Sequence, residues 1–277
     1  MSRRMIALLA MAAALLVAAV APSAASAWAP AATASIHPGV QTVTGGGQCT
    51  SNFVYQDGGG VYLGQAAHCS GTGAATETNG CDSGSLPLGT PVEIEGASQP
   101  GTMVYNSWLA MQAAGETDPN ACDYNDFALV RVDPADVADV NPSVPGFGGP
   151  TGLATTPGGT GSTVYTYGNS SLRGGVSVLK PKQGTVVQNG GAGWTTDVYT
   201  ATPGIPGDSG SGFLTSTGAA FGTLSTVQLA PLAGSNGVGN LSKELAYAQS
   251  HGFGGVQLVP GTEAFNPSIT AAILGAR

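Results

Sequence analysis

One serine of the chain lies in a segment of the kind that nucleophilic catalysis requires. Acyl transfer by a serine hydroxyl needs a base within hydrogen-bond reach, a group that orients the base, and donors for the developing oxyanion. Ser209 lies in the segment GIPGDSGSG, residues 204–212, whose glycines let the backbone turn sharply and leave the hydroxyl accessible. Taken alone, such a string is as typical of a β-turn as of an active site.

His68 is the best candidate for the base. It follows two small alanines, which permit close packing behind the ring, and it precedes Cys69, whose disulfide would hold the imidazole in place. The other two histidines have structural explanations. His37 lies in a predicted N-terminal arm, and His251 lies at a predicted helix C-terminus, where a cation is favourable.

Asp126 is the best candidate for the orienting acid. It immediately precedes the apolar run 127–130, so its carboxylate is expected to be partly buried. A buried acid needs a partner, and an imidazole N–H can serve as one. Asp123 is the alternative, but it lies beside Cys122 in a more polar loop.

The first 27 residues predict a secretory signal. Arg3 and Arg4 precede an apolar run that ends near Val20, and a small-residue site follows at residues 25–27, so we expect cleavage after Ala27. A membrane anchor is the alternative, but the run is shorter than the ~20 residues that a spanning helix needs. We therefore expect a secreted, extracellular protein without stable membrane association.

The charge of the predicted mature chain excludes one class of partner. Without the two signal arginines, the chain of 277 residues keeps 6 basic against 16 acidic residues, and no Lys or Arg occurs between Arg4 and Arg131. Because binding to nucleic acid requires clustered basic residues, we expect no nucleic-acid partner.

Four cysteines in an exported chain predict two disulfides, for which three pairings exist. We favour Cys49 with Cys69, which would tie together two strands of a predicted hairpin, and Cys81 with Cys122. No C-x-x-C pair or nearby histidine cluster indicates a zinc site.

The chain is predicted to be all-β. Its 44 glycines and 18 prolines divide it into short β-prone segments, which is typical of a barrel or a sandwich. One helix is predicted, with Asn240 as its N-cap, apolar residues recurring on one face and Gly252 as its C-terminal stop. Strands are predicted at 53–55, 61–63, 92–94, 103–105, 127–132, 164–167, 176–179, 185–188, 195–200, 212–215 and 221–227.

These elements predict a division of the chain at its Pro- and Gly-rich stretches. A linker precedes the second group of strands, and we find no interpretable motif in the last residues. The predicted parts are a signal (1–27), an arm (28–48), a first barrel (49–140), a linker (141–161), a second barrel (162–239), a helix (240–252) and a tail (253–277).

Three segments together resemble the signature segments of chymotrypsin-like serine proteases of the secreted bacterial type. They are AAHC around His68, NDFALV around Asp126 and GDSGSG around Ser209, and they occur in the order His, Asp, Ser of that superfamily. The resemblance implies two antiparallel six-stranded β-barrels and a C-terminal helix. It places the histidine and the aspartate on the first barrel and the serine on the second, with the site between them.

The same resemblance implies roles for further residues. The backbone N–H groups of Gly207 and Ser209 would form the oxyanion hole, and Cys49 would pair with Cys69 across the hairpin. Relatives activated by trypsin-like cleavage form a new amine that pairs with the acid before the serine. The chain has no basic residue in the region where that cleavage would occur, so we hypothesise that Asp208 finds another partner.

Specificity is predicted from the segments that would line the substrate pocket. Pro203 replaces the aspartate that gives preference for Lys or Arg, and Ser225, Thr226 and Val227 resemble the strand that binds the substrate backbone. Val227 often corresponds to glycine in relatives, so we expect a pocket narrowed towards small or medium apolar side chains. A preference for glutamate is disfavoured, because that strand contains no histidine.

The sequence therefore predicts a serine endopeptidase that acts as a monomer on protein or peptide substrates through an acyl-enzyme and needs no cofactor. The alternative is a protease-like fold that serves as a non-catalytic binding module. A serine esterase of another fold would need the order Ser, acid, His and a G-x-S-x-G elbow, which Ser209 lacks. For Glu93, Glu95, Asp133 and Asp136, a solvated acidic face is favoured over a structural calcium.

Overall fold

The computed structural model describes residues 28–74, 76–228 and 232–276. The predicted signal lies outside the described residues. Two groups of strands follow one another along the chain, as the turn-bounded segments predict. Within the described residues, no helix is both long and apolar enough to span a membrane.

The first unit is an antiparallel sheet of eight strands rather than the closed six-stranded barrel that was expected. Its order is β14-β3-β4-β7-β6-β5-β1-β2. The strands are β1 (Gln41–Thr44), β2 (Gly47–Thr50), β3 (Val54–Asp57), β4 (Gly60–Gln65), β5 (Pro91–Ile94), β6 (Gly101–Asn106), β7 (Ala128–Arg131) and, from the tail, β14 (Gln257–Leu258).

A bend between β2 and β3 nevertheless gives this sheet the topology of a barrel. Only three residues separate the two strands, and the chain changes partner between them: the Ser51 N–H donates to Val40 O, and the Asn52 N–H donates to Gly64 O. Counted as one bent strand, β2 and β3 bond to β1 on one side and to β4 on the other. Six strands therefore enclose the core of this unit.

The predicted arm at residues 28–48 is wrong in its C-terminal part. Residues 41–44 form β1, which pairs with both β2 and β5. The alternation of half-buried and buried residues along QTVT explains this, because Thr42 and Thr44 face the interior while their neighbours face outwards. Polar β-branched residues thus form a strand that composition alone does not predict.

The second unit is a closed barrel with the strand order β10-β13-β12-β11-β8-β9, and here the predicted six-stranded barrel is confirmed. The predicted strand at 176–179 is wrong, because Ser177–Leu179 form a 3₁₀ turn that Val176 precedes, and the side chains of Val176 and Val178 are exposed. The strands are β8 (Thr163–Tyr167), β9 (Pro181–Gly190), β10 (Thr195–Thr200), β11 (Gly212–Thr215), β12 (Ala220–Gln228) and β13 (Ser235–Asn240).

The described residues also form four α-helices: α1 (Ser107–Ala114), α2 (Pro119–Tyr124), α3 (Leu241–Ser250) and α4 (Ile269–Leu274). The predicted helix α3 is confirmed, and the Asn240 side chain accepts from the N–H groups of Ser242 and Lys243. Helix α1 was not predicted, although Asn106 caps its start and Gly115 ends it at φ +65°.

The largest core cluster joins the two units through aromatic side chains. Tyr55 and Phe127 from the first unit and Phe147, Tyr165 and Leu214 from the linker and the barrel belong to it, and each is buried. Removing one such ring costs roughly 3–5 kcal/mol. Burial of this cluster therefore fixes how the two units sit against each other.

The tail also contributes to the contact between the two units. It pairs with β3 through β14, and Phe265 then packs on Tyr165 with 5.6 Å between the ring centroids. The Asn141 amide donates both to Ala29 O (2.6 Å) and to the Thr262 hydroxyl (2.9 Å). The first described residues, the linker and the tail therefore meet at one point.

Candidate active site

Adjacent strands bring His68 and Asp126 together. His68 lies in a 3₁₀ turn directly after β4, and Asp126 lies two residues before β7, which pairs with β4. The His68 Nδ1 atom lies 2.6 Å from Asp126 Oδ2, and the backbone N–H of His68 donates to Oδ1 at 2.9 Å. One carboxylate thus binds both the ring and the backbone of the histidine.

A third donor to this carboxylate comes from the second unit. The Ser225 hydroxyl donates to Asp126 Oδ2 at 2.5 Å. Burial raises the pKa of Asp126, but the charge of His68 and these hydrogen bonds outweigh it, so the pKa lies below its ordinary value. The sequence predicted Ser225 as a substrate contact, and its contact with Asp126 was missed.

Opposing influences also set the pKa of His68. Burial lowers it, whereas the negative charge of Asp126 and the hydrogen bond to that carboxylate raise it, and the result lies above the ordinary value. The pair therefore stabilises the protonated imidazole, which is the form that a general base adopts after it accepts a proton.

Ser209 lies on a turn that is bonded to both units. Its carbonyl accepts from the Thr50 N–H of β2 at 2.8 Å, and the next residue, Gly210, donates its N–H to Leu224 O of β12 at 2.7 Å. Gly210 has φ +88°, and a Cβ there would lie 2.6 Å from Thr50 O, so only glycine fits.

Ser209 faces the same cleft as the histidine and the aspartate. The cleft has a volume of about 900 Å³, and His68, Asp126 and Ser209 all line it. In the described part of the chain, no hydrogen bond links the Ser209 hydroxyl to the imidazole. The structure therefore brings the three predicted residues to one cleft and pairs two of them directly.

Two backbone donors at this turn have no acceptor among the described residues. They are the N–H groups of Gly207 and Ser209, which the resemblance assigned to the oxyanion hole. The carbonyl of Pro206 accepts from the Ser170 hydroxyl at 2.6 Å. Because the peptide bond is planar and trans, the Gly207 N–H points in the direction opposite to that carbonyl.

Asp208 has the internal partners that the sequence hypothesis requires. Its Oδ2 atom lies 2.9 Å from Lys182 Nζ and 2.9 Å from an Arg173 guanidinium nitrogen, and its side chain is fully buried. Burial raises the pKa of Asp208, but these two cations lower it below its ordinary value. The sequence did not identify either cation, although they are two of only six basic residues after the predicted signal.

Each disulfide includes a cysteine that is close in sequence to His68 or Asp126. The bonds are Cys49–Cys69 and Cys81–Cys122, the favoured pairing. Cys69 directly follows His68, and Cys49 lies in β2, so the first bond lies just outside the β3–β4 hairpin rather than between its strands. Cys122 lies in α2, four residues before Asp126.

The predicted substrate residues divide between the cleft and its surroundings. Ser225, Thr226 and Val227 line the cleft, whereas Pro203 lies outside its described lining and its carbonyl accepts from Arg173 at 2.6 Å. Asn236, which the sequence did not identify, links the segment before Ser209 to β12. Its Oδ1 atom accepts from the Gly204 N–H at 2.8 Å, and its amide donates to Thr226 O at 3.2 Å.

The fold is similar to that of solved bacterial serine proteases, although no protein-family model and no curated sequence matches the chain. Thermobifida fusca Protease A superimposes with a TM-score of 0.53 at 22% identity, over 82% of this chain and 99% of that one. A glutamic-acid-specific serine protease that binds substrate through a histidine triad gives 0.50 at 19%, over 81% and 100%. The chain therefore has the chymotrypsin-like serine protease fold.

Proposed function

We propose that the protein is a secreted serine endopeptidase with Ser209 as nucleophile, His68 as general base and Asp126 as the acid that orients it. The observation that carries this proposal is the 2.6 Å pair between His68 and Asp126 in the cleft that Ser209 also lines. The protease fold of the structural neighbours supports the same function.

The proposed reaction passes through an acyl-enzyme. The Ser209 oxygen attacks the carbonyl carbon of the peptide while His68 Nε2 accepts the hydroxyl proton, and the resulting imidazolium gives that proton to the leaving amine as the C–N bond breaks. Water, deprotonated by the same imidazole, then hydrolyses the ester. Asp126 stabilises the imidazolium in both steps, and each oxyanion donor from Gly207 or Ser209 contributes about 3 kcal/mol.

Activation of the proposed enzyme requires no new N-terminal amine. Asp208, the acid before the nucleophile, is neutralised from within the chain by Lys182 and Arg173. We therefore expect removal of the signal, or of the signal and a short following segment, to give active enzyme.

The proposed substrates carry a small or medium apolar side chain before the scissile bond. The segment before Ser209 and strand β12 both line the cleft with uncharged residues, Ile205 and Pro206 from the first and Thr226 and Val227 from the second. Asn236 joins these two segments through its hydrogen bonds and is itself buried. A long basic side chain would meet this cross-link, and the described lining residues of these two segments offer it no carboxylate.

Secretion is supported by the two disulfides, which form in oxidising compartments. Edman sequencing of protein recovered from the culture medium tests this part of the proposal. A start at Trp28 is expected, whereas full-length protein retained in the cell would contradict it.

Labelling with a fluorophosphonate tests the nucleophile. The secreted protein is expected to carry an adduct on Ser209, mapped by mass spectrometry, and the Ser209→Ala variant is expected to carry none. Ser211→Ala is the matched control, because that serine lies on the same turn but donates to the Asp208 carbonyl. Failure of the folded, signal-free protein to react would contradict the proposal.

A further inference from the structure

A third carboxyl group lies behind the paired residues and is absent from the proposed reaction. Glu244 belongs to the first turn of α3, and none of its surface is exposed. Among the described residues it takes part in no ion pair. Burying such a group without a cation is costly unless its polar atoms are hydrogen-bonded, so its contacts indicate what it does.

Both contacts of this carboxyl lead to Asp126. Its Oε1 atom accepts from the backbone N–H of Asp126 at 3.4 Å, and its Oε2 atom accepts from the Thr223 hydroxyl at 2.8 Å. Thr223 lies two residues before Ser225 on β12, and Ser225 is the residue whose hydroxyl binds the Asp126 carboxylate. Glu244 thus holds Asp126 directly through its backbone and indirectly through the strand that carries Ser225.

The surrounding chain leaves room for this arrangement by omitting side chains. A Cβ at Gly239 would lie 2.2 Å from Glu244 Oε1, so any other residue there would displace the carboxyl. On the far side, the Asn52 amide donates to the Thr223 hydroxyl at 3.4 Å, and a Cβ at Gly64 would lie 2.1 Å from Asn52 Oδ1. Two glycines therefore accommodate one continuous buried network.

The charge state of Glu244 suits a supporting role. Burial raises the pKa of Glu244 well above its ordinary value, and the negative charge of Asp126 raises it further. The other titratable groups that sense it, Tyr55 and Tyr105, are buried with raised pKa values and stay neutral. The raised pKa favours the neutral form of Glu244, which bonds to Asp126 without placing a second charge beside it.

We propose that Glu244 is a positioning residue of the active site, which holds the Asp126 backbone and the Thr223 hydroxyl so that the Asp126 carboxylate stays aligned with the His68 ring. This inference rests on the proposed function, because alignment of the imidazole matters for a general base. It adds α3 to the elements that build the site.

Two substitutions of Glu244 test the role. Glu244→Gln keeps the shape and mimics the protonated acid: its oxygen accepts from the Asp126 N–H, and its amide, like the O–H of a neutral carboxyl, keeps the contact with Thr223 by donating to that hydroxyl in place of accepting from it. Glu244→Leu keeps the approximate volume but removes both contacts. We expect kcat to stay within about threefold in the Gln variant and to fall roughly 10- to 100-fold in the Leu variant, with KM within about twofold in both.

A spectroscopic readout separates this inference from the protease proposal. The downfield proton resonance of His68 Nδ1–H, recorded by NMR at a pH below the His68 pKa, reports the bond to Asp126 whether or not the protein cleaves peptides. We expect this resonance to be unchanged in Glu244→Gln and shifted upfield or lost in Glu244→Leu. That result in a protein without peptidase activity would support the positioning role and contradict only the protease proposal.

Leu245→Ala is the matched control, because Leu245 is buried one residue further along α3 and belongs to the core. It is expected to lower stability while leaving the resonance in place. An unchanged resonance in folded Glu244→Leu, or the same loss in Leu245→Ala, would overturn the inference. A Glu244→Gln variant as impaired as Glu244→Leu would overturn the role of the neutral acid. If Glu244→Leu does not fold, Thr223→Val takes its place, with the same shift expected and an unchanged resonance overturning the inference.

Discussion

The two units of the molecule each bury an aspartate beside the cleft, but they neutralise it differently. Asp208, on the barrel, binds the Lys182 amine and the Arg173 guanidinium. Asp126, on the eight-stranded sheet, binds a histidine and two hydrogen-bond donors, and no Lys or Arg occurs in the sequence between Arg4 and Arg131.

This difference teaches which acid is structural and which is available for chemistry. A lysine or arginine beside an aspartate holds a fixed charge, so the turn that carries Ser209 is locked. An imidazole beside an aspartate can gain and lose a proton near neutral pH. Among the described residues, His68 is the only basic side chain that forms an ion pair with the Asp126 carboxylate.

The largest effect is expected from breaking the fixed pair. Lys182→Met should lower the free energy of unfolding by roughly 3–5 kcal/mol, because it removes a cation from a buried carboxylate. Urea denaturation followed by tryptophan fluorescence measures this loss. Lys180→Met, two residues earlier and not paired with Asp208, is the control. Equal losses of unfolding free energy in the two variants would show that the loss does not come from the ion pair.

Removal of the disulfides tests how the first unit holds its acid and its histidine. By loop length, replacing Cys81 and Cys122 with alanine should cost about 4 kcal/mol, and replacing Cys49 and Cys69 about 3 kcal/mol. The loss of activity is expected to be larger in the variant without Cys49–Cys69, because Cys69 adjoins His68. The two activities are compared at a temperature where both variants are folded. Hydrolysis of a peptide ester measures activity, and a larger activity loss without Cys81–Cys122 would contradict this order.

A smaller effect is expected from the contact that the barrel makes with Asp126. Ser225→Ala removes one hydrogen bond to a charged group, worth about 1.5 kcal/mol, so kcat/KM should fall roughly tenfold. Thr226→Ser, next along β12, changes a side chain without contact to Asp126 and serves as the control. If both variants lose the same activity, the effect comes from the substrate wall and not from the acid.

The smallest effect is a displacement of the pH dependence. Because the pKa of His68 is raised and the proposed general base must be neutral to act, kcat/KM should increase with pH through a midpoint above 6.5, the ordinary value for histidine. The protonated pair stabilises the fold below 6.5, and this contribution is lost as pH rises through the raised pKa. A midpoint at or below 6.5 in a pH–rate profile would contradict the direction.

The fold could be predicted from sequence where local pattern and packing agree. Strands 195–200 and 212–215 are rich in β-formers and bounded by turns, and the helix after Asn240 carries its own cap signal. The strand predicted at 176–179 failed because its valines are β-prone but have no partner strand. Pairing depends on the register of distant chain segments, which composition does not contain.

The site could be predicted as far as its short signature segments reach. Those segments supply His68, Asp126 and Ser209, which line one cleft. Lys182, Asn236 and Glu244 could not be assigned, because each acts on a residue that is distant in sequence. Their roles follow from where the barrel brings side chains together, and a lone Lys or Glu in a strand or helix carries no signal of that.

The tail has a consequence for the order in which the molecule can be completed. The ribosome makes Ala29 and Asn141 well before Thr262, yet one amide joins the first and the last of these. Phe265 reaches its place on Tyr165 only after the tail has been made. The contacts by which the tail joins the two units are therefore completed only after both units have been synthesised.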